Sequence, residues 1–139
     1  MRALGVDLGT KRIGLATSDL SGTIASPLTT VVRSSSVRVD HSTIAKIVAS
    51  EEVEIVVVGL PITMSGALGP AAEAAKREAG LLGTVLDVPV IMFDERMTTV
   101  AADRALKEAN ISASRRRQYV DRVAAAVMLQ SWLDRGRPR

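Results

Sequence analysis

The sequence predicts a mixed α/β layer architecture, and three observations carry that prediction. Three short extended runs open the chain, at 3–8 (ALGVDL), 12–18 (RIGLATS) and 27–33 (PLTTVVR), with Gly-Thr and Gly22 marking the turns between them. Two later runs, EIVVVGLP at 54–61 and VPVIMFDE at 88–95, are apolar without alternation, the pattern of strands covered on both faces. Helical periodicity fills the remaining segments. The order is then β-β-β-α-β-α-β-α-α, an antiparallel meander continued by right-handed β-α-β crossovers. Such sheets place ligands outside the carboxyl ends of their parallel strands.

The elements follow in order. After the meander, Val39, Ile44, Ile47 and Val48 recur at helical spacing over about 40–51, with Asp40 or Ser42 available as a cap. The first covered strand runs into GLPITMSGALGP, a loop rich in Gly and Pro, and the Ala-rich stretch 70–83 reads as a helix. Beyond the second covered strand, 98–109 and 114–134 read as two helices. The ANISAS break splits them, with Ser112 or Ser114 as N-cap. There is no internal repeat, linker or low-complexity segment.

Composition narrows the function classes. A chain of 139 residues, 47% apolar with positive mean hydropathy, is expected to be one folded domain with its own core. Phe93, Tyr119 and Trp132 are its only aromatic residues, too few for a face that stacks several bases. The absence of Cys excludes a disulfide framework, a thiolate zinc site and a Cys nucleophile, and a single His, His41, argues against an imidazole-rich zinc centre. No long apolar stretch and no secretory signal are visible, so a cytoplasmic protein with no membrane partner is expected. The net charge is +3, but residues 96–139 hold ten Arg or Lys against four acids. That asymmetry suits a polyanion, and equally a solvated helix face with a basic tail.

Three acids sit in apolar surroundings. Asp7 lies inside VDLG, Glu95 ends VIMFDE after Asp94, and Asp121 borders the helical stripe of Val120, Val123, Ala124, Val127 and Met128. An isolated ionised carboxylate in such a setting is costly unless it is paired. Brought together, three would repel unless cations lay between them, and hard oxygen donors suit Mg²⁺ or Mn²⁺. Two such ions ~3.5–4 Å apart can clamp the attacking and leaving oxygens of a phosphodiester displacement. Each acid also has a bland reading. Asp7 can form a turn before Gly9, Glu95 can pair with Arg96 or cap at Thr98, and Asp121 can pair with Arg117 or Arg122 on a helix surface. Asp94 and Glu95 being adjacent, one of the two must face away.

The stretches GVDLGTKRIGLATSD, VVGLPITMSGALGP, FDERMTT and YVDRVAAAVMLQSWL occur in this order and at this scale in one group of proteins. Through them the chain resembles the YqgF (RuvX) family, the bacterial Holliday-junction-resolvase-like nucleases, over nearly its full length. The resemblance implies a ribonuclease H-like fold, a five-stranded mixed sheet with the first three strands antiparallel and helices on both faces. It implies Asp7, Glu95 and Asp121 as catalytic residues and ligands of divalent metal, two ions of Mg²⁺ or Mn²⁺. It also implies a nuclease that matures the 5′ end of pre-16S rRNA, with resolution of branched DNA junctions as the alternative. In the central loop, Thr63 and Ser65 replace the amide and acid frequent in the family.

The neighbouring residues have their own readings. Gly9 lets backbone approach a phosphate, and Thr10 offers a hydroxyl. Lys11 and Arg12 alternate, so one faces nucleic acid and the other solvent. Arg96 can bind a phosphate or orient Glu95, while Arg115, Arg116 and Arg117 fan around the start of the last helix, so at most two meet one phosphate path. The expected partner is structured RNA or junction DNA, met by a monomer or weak homodimer. Two other classes compete: a binding protein without catalysis, and a phosphate-loop domain of the actin and sugar-kinase type. The latter needs a second such domain, for which the chain is too short.

Overall fold

The computed structural model describes residues 1–61, 68–94 and 113–137, with side chains of the last span from Asp121 onward. β1 (Ala3–Leu8), β2 (Arg12–Ser18) and β3 (Ala25–Val32) form an antiparallel meander. β4 (Ile55–Leu60) pairs parallel with β1, and β5 (Val90–Asp94) parallel with β4, giving the order β3-β2-β1-β4-β5. This is the five-stranded mixed sheet that the sequence predicts. Helices α1 (Val37–Ser50) and α2 (Pro70–Val85) pack on one face, and α3 (Ala113–Asp134) on the other. The expected helix over 98–109 and the loop positions Thr63 and Ser65 lie outside the described residues.

Period-two alternation divides the strands between two apolar layers. Leu4, Val6, Ile13, Leu15, Val56 and Val58 meet α1 and α2. Ala3, Ala16, Ile55, Val57 and Phe93 meet Ala125, Leu129 and Trp132 of α3. On β1 and β2 the α3 side is lined by Ala3, Gly5, Gly14 and Ala16, where the helix comes down onto the sheet backbone. A Cβ on Gly5 would lie 2.9 Å from Leu129 Cβ, and one on Gly14 would lie 2.1 Å from the Asp121 carbonyl oxygen. Only glycine admits so close an approach at Gly14.

Several boundaries differ from expectation for identifiable reasons. β3 starts at Ala25 and runs through Pro27, which is tolerated because β3 is an edge strand and its register with β2 shifts between Leu15 and Ala16. β5, expected to be covered on both faces, is the other edge, and only Phe93 in it is buried. α1 is capped by Ser36, whose hydroxyl accepts from Val39 N–H, rather than by Asp40 or Ser42. Its inward face is Asp40, His41, Ile44 and Val48, while Val39 is exposed. On α3 the buried stripe is Ala124, Ala125, Met128, Leu129 and Trp132, with Val123 and Val127 at its flank. Ser114 lies inside that helix, so it is not the cap, and Ser112 lies outside the described residues. The β2–β3 turn is organised by Asp19, whose carboxylate accepts from Thr23 N–H, the Ser21 hydroxyl and Ile24 N–H. Those bonds, in that order of weight, hold the Asp19 carboxyl at about 2. Among the described residues no helix is long and apolar enough to cross a membrane.

Candidate functional site

β1 brings Asp7 to the α3 face of the sheet. Ala3 and Gly5 meet α3, and Asp7 is next on that side of the strand. It sits near the carboxyl end of β1 and is 7% exposed, an acid buried at the rim of an apolar layer. Its partner across the antiparallel ladder is Gly14 of β2. Opposed residues hold their Cβ positions about 4.5–5.5 Å apart, and the Asp121 backbone rests on Gly14. Asp7 and Asp121, far apart in sequence, therefore both adjoin Gly14 at one end of one sheet face.

Asp121 belongs to the buried side of α3, since Ala125, Met128, Leu129 and Trp132 follow it at helical steps of four, seven, eight and eleven. Its carboxylate turns toward β2. Arg12 Nε donates to Asp121 Oδ2 at 3.3 Å, and the other oxygen, Oδ1, lies 3.7 Å from where a Gly9 Cβ would be. Asp121 thus has Arg12 of the sheet as a partner, and the side chain of Arg117 lies outside the described residues. Arg12 shares the α3 face with Gly14 and Ala16, whereas Lys11 at the β1–β2 turn is exposed. Gly9 also has a steric role within the chain, because a Cβ there would lie 2.4 Å from the Arg12 carbonyl oxygen and block the turn.

Asp94 is the last residue of β5. Ile91 and Phe93 belong to the α3 layer and Val90 and Met92 to the opposite one, so alternation places Asp94 on the side away from Asp7. Glu95, Arg96 and Thr98 lie outside the described residues. Arg115, Arg116 and Arg117 fall within the first turns of α3, but their side chains lie outside the described set. Among the described residues no three acidic, His or Cys side chains form a group able to hold a metal, and the described acids here are two. Their donor set is carboxylate oxygen, which fits a hard divalent cation such as Mg²⁺ or Mn²⁺. His41 is in the opposite layer, so no imidazole joins them.

Sequence reasoning missed Arg33. Its backbone N–H donates to the Lys11 carbonyl at 3.0 Å and its Nε to the Gly9 carbonyl at 2.7 Å, so it grips the β1–β2 turn. Its two terminal nitrogens meet both oxygens of Glu78 on α2, at 2.9 and 2.8 Å. No spacing rule links a residue just after β3 to a turn 24 positions earlier and a helix 45 positions later.

The family model described as RuvX, Holliday junction resolvase, matches residues 1–135. The chain belongs to the RuvX family. A relative named "Putative pre-16S rRNA nuclease" from Myxococcus xanthus is 49% identical over 138 residues, 99% of this chain and 91% of that protein. One of the same name from Thermoanaerobacter pseudethanolicus is 46% identical over 135 residues, 96% of each chain. Among solved structures, Thermus thermophilus RuvC in complex with Holliday junction substrate superposes with TM-score 0.61 at 16% identity, covering 99% of this chain and 97% of that one. At that identity the likeness speaks for the fold. The RuvX chain thus has a RuvC-like, ribonuclease H-like sheet, as the motifs implied.

Proposed function

We propose that the protein is a divalent-metal-dependent nuclease that hydrolyses phosphodiester bonds, with the 5′ region of pre-16S rRNA as substrate. What supports this reading is that Asp7 and Asp121 both adjoin Gly14, near the carboxyl end of β1. Glu95, next in sequence after the last residue of β5, is the third acid of the set. Mg²⁺ or Mn²⁺ would be held by Asp7, Asp121 and Glu95, and when bound supplies a nucleophilic water at neutral pH and charge stabilisation of the displaced oxygen.

The chain's own groups supply the rest. Arg12 holds the Asp121 carboxylate through Nε alone, which leaves the terminal nitrogens of its fork for a phosphate oxygen. Lys11, exposed at the turn, adds a phosphate contact that carries no sequence information. Further phosphate contacts are assigned to Arg96 and to at most two of Arg115, Arg116 and Arg117. Neither His nor Cys chemistry is needed for such a hydrolysis. The names carried by the relatives support rRNA over junction DNA.

The test is cleavage of a structured precursor rRNA fragment and of a four-way DNA junction, each with Mg²⁺ or Mn²⁺ and with chelator. Cleavage of the RNA is expected, abolished by Asp7→Asn with binding nearly intact. An Asp7→Asn protein that cleaves as fast as the parent overturns the carboxylate mechanism. Selective cleavage of the junction overturns the rRNA assignment.

A further inference from the structure

We propose that Arg33 is a positioning residue for the candidate nuclease site, and that Glu78 and His41 set its guanidinium from the opposite layer of the fold. The proposal rests on the nuclease reading for its kinetic consequence, but its structural content stands apart.

The β1–β2 turn joins two residues of the site, Asp7 and Arg12, through Leu8, Gly9, Thr10 and Lys11. Such a short turn, with an exposed tip, has few ways of holding its shape. Arg33 provides two, by donating to the carbonyls on either side of Thr10. A side chain can hold a turn only as firmly as it is itself held. Both terminal nitrogens of Arg33 are engaged by Glu78 in a paired, parallel geometry that removes rotation of the guanidinium plane. Glu78 Oε2 also meets His41 Nε2 at 2.8 Å. A carboxylate can only accept, so His41 donates through Nε2–H and pins Glu78 in turn.

The cluster is sheltered. The side chains of Arg33, Glu78 and His41 are 15%, 16% and 3% exposed. Burial would raise the Glu78 carboxyl, yet the hydrogen bonds from Arg33 and His41 outweigh it and leave Glu78 below its ordinary range. Arg33 is raised, chiefly by its bond to Glu78. Asp40 also faces this cluster, held by Ser34 N–H at 3.0 Å. The result is a chain of charge-assisted bonds from α1 through α2 to the turn. It crosses from the layer that carries no site acid to the strand end that carries Asp7. Lysine cannot replace Arg33 here, because one ammonium cannot serve the Gly9 carbonyl and both Glu78 oxygens in a plane.

The experiment compares Arg33→Lys, Glu78→Gln and His41→Gln with the surface control Lys76→Ala, by kinetics and by amide NMR of the full chain. Arg33→Lys is expected to lower kcat about 10–100-fold with KM within about twofold, the size of loss that slight misplacement of reacting groups produces. Amide resonances of Gly9, Thr10 and Lys11 should shift and exchange faster. Glu78→Gln should give a smaller loss, and His41→Gln, which keeps a donor toward Glu78, the smallest. Unshifted turn amides in Arg33→Lys overturn the positioning role, as does a kcat loss matched entirely by a smaller folded fraction. If the parent protein cleaves neither RNA nor junction, the nuclease reading fails while the turn amides still decide the positioning role.

Discussion

Arg12 Nε on β2 donates to Asp121 Oδ2 on α3 at 3.3 Å, joining two site residues 109 positions apart. The pair is part-buried, with side chains 26% and 18% exposed, so solvent screens it incompletely. On the nuclease reading proposed above, its role is to orient a carboxylate. Arg12→Gln is expected to lower cleavage about 10–100-fold, the usual cost of removing a residue that orients a metal ligand. Titrating Mn²⁺ against the cleavage rate checks it, and the half-saturating concentration should rise. An unchanged metal requirement removes Arg12 from that role.

Contact between α3 and the sheet depends on Gly14. In Gly14→Ala the new methyl meets backbone atoms of Asp121 and Arg122, which cannot swing aside as a side chain can. The expected loss is about 3 kcal/mol, at the upper end for overpacking, with α3 displaced from Asp7. Gly80 is the counterpart: it is exposed within α2, and a Cβ there meets nothing within 4 Å. Gly80→Ala should therefore stabilise by about 1 kcal/mol through helix propensity. Urea unfolding of both variants is the measurement, and equal effects would refute the close-approach account.

Acid sensitivity is expected from the polar cluster beneath the turn. Glu78 lies below its ordinary 4.5 and Asp40 below its ordinary 3.8 in the folded chain. For each, burial raises the carboxyl and the hydrogen bonds and nearby cations more than offset it. The folded protein then binds fewer protons than the unfolded chain. This stabilisation is complete above the ordinary values and is lost as pH falls through the lower folded ones. Unfolding free energies measured between about pH 3 and pH 7 should fall on the acid side, and Glu78→Gln should flatten that fall. A parallel slope in the variant would assign the acid loss to other groups.

Lys11 differs from Arg12 in having no side-chain partner among the described residues, being an exposed cation at the turn. Lys11→Ala should weaken nucleic-acid binding equally across sequences and reduce the slope of log affinity against log salt by about 1. Fluorescence anisotropy at several salt concentrations reads this directly. A sequence-dependent loss would mean that Lys11 reads bases.

Alternation and apolar runs were enough to read the sheet from the sequence, because a strand's period is local. VDLGTKRIG marked the opening meander through its Gly-Thr turn, and EIVVVGLP marked a covered strand through its unbroken apolar run. The suspicion around Asp7 was equally legible, since a carboxylate amid apolar residues is anomalous whatever surrounds it. The fold decided what surrounds it. Gly14 opposite Asp7 looks like any strand glycine until α3 is laid upon it, and only then does its missing side chain explain how Asp121 reaches the site. The apolar spacing on α3 pointed to Val120, Val123, Ala124, Val127 and Met128; Ala124 and Met128 are buried beside Ala125, Leu129 and Trp132, while Val123 and Val127 lie at the flank and the Val120 side chain is outside the described residues. Arg33, Glu78 and His41 were invisible as a unit. Hydrogen bonds among residues from a strand end and two helices have no period in sequence, and come into being only when the layers close.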